Sequence, residues 1–348
     1  MKCKTRPTRR DLLAQAACGL AGSLALLRAF RAPAAQSACV RPSRVALVHG
    51  QSRAENTFQA LKLIEGQIRE GLAKKRRVVI KPNMVVTNNP LSATHAECLE
   101  GLLEFFRPLV KDEIFVAESP ANGPAAEGYA NYKYDQLTTR YRVRFVELDE
   151  QPFVIEHVVD ERYHPRPVRV SKFLMDPEVY LVSAAVFKTH DRAVVTLSLK
   201  NVIFGALLKD RGFRWGPGSK GSTDKPTGHG GPRNQGIHYN LLTLGKRLHP
   251  DLAVIDGFQG MEGNGPCSGT PVDHKVVVAG TDWLAADRTV VELMGFDFHK
   301  IGYLTFCARA GLGQGDLNQI EVVGARVADH LRRYRPHDNI EDQYKWMS

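Results

Sequence analysis

Cysteine is scarce, with six in 348 residues, and no two of them stand at C-x-x-C spacing. That excludes the usual iron–sulfur and cysteine-rich zinc motifs. The signatures G-x-x-x-x-G-K-[ST], H-E-x-x-H and G-x-S-x-G are also missing, so neither a phosphate-cradling loop, a zinc-protease helix nor a nucleophile elbow is signalled. Internal repeats and heptad runs are absent, which removes solenoids and coiled coils. The apolar run from Leu12 to Leu27 is too short and too rich in Gly and Ala for a firm membrane span.

What is present begins with charge. The formal net charge is +10, yet Lys2, Lys4, Arg6, Arg9, Arg10, Arg28 and Arg31 face only Asp11 in residues 1–36. The rest of the chain carries +4, a mild excess that does not imply nucleic acid. Residues 1–36 read as a twin-arginine signal peptide. Arg9-Arg10 leads into the apolar run, and Ala32-Pro33-Ala34 offers small residues for cleavage. The expectation is export to the periplasm by the twin-arginine translocation machinery, with no stable membrane span after cleavage. Residues 37–327 then form a single α/β domain, and 328–348 a polar C-terminal tail with no clear partner surface.

From Val45 the pattern alternates between short β-branched runs and helical periodicity, the mark of an α/β fold. The spacing predicts strands at Val45–Val48, Val78–Ile80, Ile114–Ala117, Val143–Leu148, Val179–Phe187, Leu252–Ile255, Val276–Ala279 and Ile320–Val323. It predicts one helix over 56–72 capped by Asn56, and another opened by Thr94-His95. The expected architecture is a mostly parallel sheet with helices on both faces, in Rossmann-like layering. Two additions interrupt it: a β excursion over Glu150–Leu174 and a long lid loop over Lys209–Gly236, which carries His229 with His238 just beyond.

The central run Val179–Phe187 reads as a strand buried on both faces, and it ends in Lys188-Thr189-His190. A helix follows, bearing Thr196 and Lys200 at i, i+4 spacing, and Asn201. Other strands also end in polar groups: Lys81 and Asn83, Glu118, Asp256, and Asp282. In an open parallel sheet such ends share one rim, where ligands bind. Lysines facing that crevice suit a small anionic molecule. We expect Lys188, Lys200 and His190 to be catalytic, with His190 as general acid/base because imidazole titrates near neutrality. Lys81, Asn83, Asn201 and His238 are expected to bind substrate. Asp256 and Glu118 are candidates for holding a divalent metal, and Asp256 alternatively for orienting His190.

Lys81-Pro82-Asn83, Lys188-Thr189-His190, Leu199-Lys200-Asn201 with Gly205, Ile255-Asp256-Gly257, Gly265-Pro266 with Gly269, and Ala279-Gly280-Thr281-Asp282 with Asp287 resemble one family. It is the domain-of-unknown-function family numbered 362, and the resemblance runs from about Val45 to Gly324. Many of its members carry a ferredoxin-like iron–sulfur module. This chain lacks the clustered cysteines, so the resemblance implies no cluster here and supplies no reaction. The residues themselves favour an enzyme acting on a small anion, with metal assistance as an option. The alternatives are a periplasmic ligand-binding or cofactor-handling protein, and a redox protein partnering an iron–sulfur protein.

Overall fold

A computed structural model describes residues 42–230 and 235–347. The twin-arginine leader expected over residues 1–36 and Cys39 lie outside the described residues.

The chain opens with β1 (Ser43–His49), α1 (Arg53–Leu63), α2 (Glu65–Leu72), β2 (Arg77–Pro82), α3 (Ala96–Phe106) and β3 (Ile114–Glu118). It continues through α4 (Ala125–Asn131), β4 (Val143–Glu147), and the hairpin β5 (Phe153–Val159) and β6 (Pro165–Ser171). Then come β7 (Val179–His190), β8 (Val194–Val195), α5 (Leu197–Ala206), α6 (Lys225–Gly228) and α7 (Gln235–Gly245). The last are β9 (Leu252–Glu262), β10 (Thr270–Gly280), α8 (Trp283–Leu293), α9 (Gly302–Arg309), β11 (Ile320–Gly324) and α10 (Ile340–Gln343).

The fold is α/β, with a nine-stranded sheet in the order β11-β1-β10-β9-β7-β2-β3-β4 and β8 paired to β7. Strands β9, β7, β2, β3 and β4 run parallel to their neighbours in that row, and β1 runs parallel to β11. Strand β10 is antiparallel to both β9 and β1. All twelve residues of β7 are buried, as a central strand covered on both faces must be. Leu181, Ala185 and Phe187 join a core with α5, α7, α8 and α9. Tyr180, Val182 and Ala184 join a second core with α1, α2 and α3 on the opposite face. Burying Leu181, Val182 or Phe187 stabilises the fold by roughly 1.5–3 kcal/mol each, and the alternation of the set fixes the register of β7 against both cores.

Several local expectations give way to packing. The helix over 56–72 is two helices, broken at Ile64, and its first cap is Ser52, whose hydroxyl accepts from Glu55 N. Asn56 instead donates to the Gly50 and Lys275 carbonyls, tying α1 to β10. Thr94 caps no helix; its hydroxyl accepts from Asn83 N and donates to Ala184 O, joining β2 to β7. Strand β9 does not stop at Asp256 but runs on to Glu262. Because β10 is antiparallel, Asp282 falls at the opposite rim, where it caps α8 by accepting from Leu284 N and Ala285 N. Among the described residues no helix is long and apolar enough to cross a membrane.

The segment after residue 324 does not stand free. Tyr334 is buried beside His274, and Gln343 is fully buried. Its carboxamide donates to His190 O and accepts from Val194 N, so α10 clasps the end of β7.

Candidate functional site

A cavity of about 540 Å³ opens at the carboxyl rim of β2, β3 and β7. Its floor is a hydrogen-bonded set of side chains from four elements. Lys81 Nζ lies 2.7 Å from Glu118 Oε2 and also donates to Pro82 O and Asn201 Oδ1. Asn83 Nδ2 donates to Asn201 Oδ1 at 3.2 Å, and Lys188 Nζ donates to Asn83 Oδ1 at 2.6 Å. Asn201 in turn donates to Lys81 O and Ser183 Oγ. The network needs Gly205 on α5, because a Cβ there would run into the Lys81 side chain. Burial drives Lys81 down and Glu118 up, each towards its neutral form, and the contact between them opposes both shifts.

The wall is the turn from His190 to Thr196 and the first turns of α5. Val194 and Leu197 adopt left-handed backbone, with φ of 64° and 50°, at a cost of order 1–3 kcal/mol each. The surroundings over-determine that shape. Gln343 holds His190 O and Val194 N, Asn339 Nδ2 donates to Asp191 O, and the Asp287 carboxylate accepts from Ser198 N and Leu199 N. Asp287 thus caps α5 from a neighbouring helix, and burial raises its pKa to about 7.

His190 is buried, and its Nδ1 lies 3.0 Å from both Arg192 N and Asp191 Oδ1. Burial, then the charge on Lys200, lowers its pKa to about 3. The expectation that His190 titrates near neutrality therefore fails: desolvation and a cationic neighbour hold it uncharged. Burial pushes Asp191 up, but His190, Lys200 and His229 outweigh it and leave this carboxyl below its ordinary value.

The third side comes from the stretch between α5 and α7. Trp215 donates through Nε1 to Ala121 O and lines the cavity. Lys225 reaches back to the Phe204 and Leu207 carbonyls, capping the far end of α5. His229 stacks on His190 at 5.9 Å and packs on Phe204 at 4.1 Å. Its Nδ1 faces Lys225 O at 2.8 Å, so it donates there and Nε2 keeps a lone pair.

Lys200 stands apart within this assembly. It is 4 % exposed and lines the cavity. Among the described residues its amine meets no hydrogen-bond acceptor, only the Phe204 ring at 4.3 Å. Burial lowers its pKa to about 7, with Lys188 and Lys225 adding to the shift against Asp191. Burial likewise lowers Lys188 and Lys225 to about 7. Thr196 Oγ1 is buried without a partner one helical turn before Lys200.

Of the residues singled out from sequence, Lys81, Asn83, Glu118, Lys188, His190, Lys200 and Asn201 come together here. Two do not. Asp256 points to the other face of the sheet, where it pairs with Arg53 Nε at 3.0 Å. His238 lies in the core of α7 and α9, accepting from Tyr303 N and packed against Trp346. Glu118 is taken up by Lys81 and Ser119 N, so Asp256 and Glu118 share no site for a metal. Among the described residues no three His, Cys, Asp or Glu side chains gather in a metal-holding group. Sequence alone missed Asp191, Arg192, Phe204, Trp215, Lys225 and Gln343. Asp191 and Arg192 directly follow His190 and could have been found; Gln343 left no signal.

A family profile described as domain of unknown function (DUF362) matches residues 78–292. A thylakoid-associated protein of Synechocystis sp. is 26% identical over 238 residues, 68% of each chain. A crystal structure of a Thermotoga maritima protein superposes with a TM-score of 0.43 and 15% identity, covering 71% of this chain and 60% of that one.

Proposed function

The chain belongs to the DUF362 family, which names no reaction, and we propose from its site that it is an exported enzyme acting on a small anionic molecule held in the rim cavity. One observation carries this reading. Lys200 is a cavity-lining ammonium with no acceptor among the described residues, and an unpaired buried cation is costly until an anion meets it. The charge around it points the same way: among the described residues, Lys81, Arg192, Lys200 and Lys225 line the cavity against Glu118 and Asp191. Apolar surface from Met84, Phe204, Trp215 and Pro266 supplies the remaining wall, as expected for a small-molecule site.

In this reading Lys200 meets the anion, and the neutral His190 lines the wall beside it. Proton transfer near pH 7 falls to the lysines, whose depressed pKa values suit it. Lys81, Asn83 and Asn201 keep the floor rigid. Export rests on Arg9-Arg10 and the apolar run that follows. The same neutral His190 favours a second reading, a periplasmic ligand-holding protein without turnover.

Calorimetric titration of the full chain with acetate, pyruvate and inorganic phosphate tests the shared premise. At least one should bind to the wild type, not to Lys200→Met, and normally to Lys75→Met, whose lysine pairs with Asp251 outside the cavity. Silence from all three in the wild type, or unchanged binding in Lys200→Met, overturns it.

A further inference from the structure

We propose that the Lys200 amine is a nucleophile that condenses with the carbonyl of a small oxo acid, forming an imine inside the cavity; this rests on the anion reading above and narrows the substrate to carboxylates that also bear a ketone or aldehyde.

The argument is a contrast among buried lysines. Lys81 has three oxygen acceptors, Lys188 has two, and Lys225 has two backbone carbonyls. Lys209 is paired with Asp149. Each of these is held as a hydrogen-bonded ammonium would be. Lys200 differs on every count, with an aromatic face beneath it, open cavity beside it and no oxygen in reach among the described residues. A lysine that is desolvated and set beside other cations gives up its proton most readily, and only the free amine carries the lone pair an imine requires. Burial lowers its pKa as it lowers those of Lys188 and Lys225, so the missing acceptor is what sets Lys200 apart.

The rest of the wall fits the same step. The Lys200 lone pair attacks the carbonyl carbon, the C=O π pair moves to oxygen, and a carbinolamine results. The carbon–oxygen bond then breaks, and the two amine hydrogens leave with that oxygen as water. No oxidant or reductant is needed. The Thr196 hydroxyl, unpartnered and one turn away on the same helix face, is placed to relay those protons. The carboxylate of the oxo acid would face the cations that remain. Lys225 has spent only two of its three donors, and Arg192 lines the same wall.

The test incubates the full chain with pyruvate, glyoxylate or acetoacetate and sodium cyanoborohydride, followed by peptide mapping. At least one oxo acid should leave a reduced adduct on the peptide containing Lys200, at least tenfold above any other lysine. Its rate should rise with pH around neutrality, and Lys75→Met, whose lysine pairs with Asp251 outside the cavity, should still be labelled. No adduct, or one spread evenly over surface lysines, overturns the proposal. If acetate, pyruvate or inorganic phosphate then still binds calorimetrically, the anion reading survives alone; if none of the three binds, both fall. Because the labelled site is mapped in the wild type, the result does not depend on any variant folding.

Discussion

Two buried ion pairs flank the central sheet, and they differ in what surrounds them. On one face Asp256 meets Arg53, accepts from Phe258 N, and sits beneath an arginine that lies 4.9 Å from the Phe258 ring. The charges balance and apolar packing seals them. At the rim, Lys81 meets Glu118 at a similar distance, but Lys188, Lys200 and Lys225 crowd the same neighbourhood with few carboxylates to answer them. Burial of charge is common to both. A closed balance stabilises a fold, whereas a surplus left facing a cavity invites a ligand.

Several experiments would break or sharpen that contrast. The largest effect is expected from Asp256→Ala, which leaves the Arg53 guanidinium buried with only the half-exposed Glu97 at 3.6 Å. Urea denaturation should show a loss of about 3–5 kcal/mol, with anion binding unchanged in the folded fraction. Gly205→Ala comes next: its methyl group must displace Lys81, costing about 1–3 kcal/mol as overpacking and abolishing anion binding in calorimetry. Lys200→Met should go the opposite way to Asp256→Ala. Removing a desolvated, unpaired cation should raise the unfolding free energy read from urea denaturation at pH 6 by on the order of 1–2 kcal/mol, while binding is lost.

The pH dependence follows from the same surplus. Lys188, Lys200 and Lys225 have folded-state pKa values of about 7, below the ordinary lysine value of 10.5. Between those limits the unfolded chain binds more protons, so stability should rise with pH from about 7 towards 10 and be lost as pH falls through that window. The slope should be shallower in Lys200→Met, as read from urea midpoints at successive pH values. The smallest effect is expected for Gln343→Ala. It removes two hydrogen bonds to backbone, worth about 1–2 kcal/mol together, and should weaken anion binding several-fold without abolishing it.

Much of this arrangement was legible in the sequence for a local reason. A buried strand such as β7 is a continuous apolar run, and polar residues at its end are conspicuous. Lys81, Glu118, Lys188 and His190 all announce themselves that way, and parallel pairing brings them to one rim. The β5–β6 hairpin and the stretch after α5 were visible as breaks in periodicity. Asp256 was misplaced because Asp-Gly resembles a strand terminus, whereas pairing with β10 carries β9 six residues further. Asp282 was misplaced because strand direction is a tertiary property that no short segment encodes. His238 was misplaced because a histidine on an amphipathic helix looks alike whether it meets solvent or a Tyr303 amide. The neutrality of His190 depends on burial and on Lys200, neither of which shows in its own neighbours along the chain.

The clasp by Gln343 sets an order of events during synthesis. His190 and its clasping residue are separated by 153 positions, and closing so long a loop is among the slow steps of folding. The sheet and both cores can consolidate around β7 once α8, α9 and β11 have emerged. The turn that shapes the cavity wall must wait for almost the whole polypeptide to leave the ribosome. Molecules arrested or clipped before residue 340 would therefore have a finished scaffold with an unfinished pocket, stable enough to persist and unable to hold what the complete protein holds.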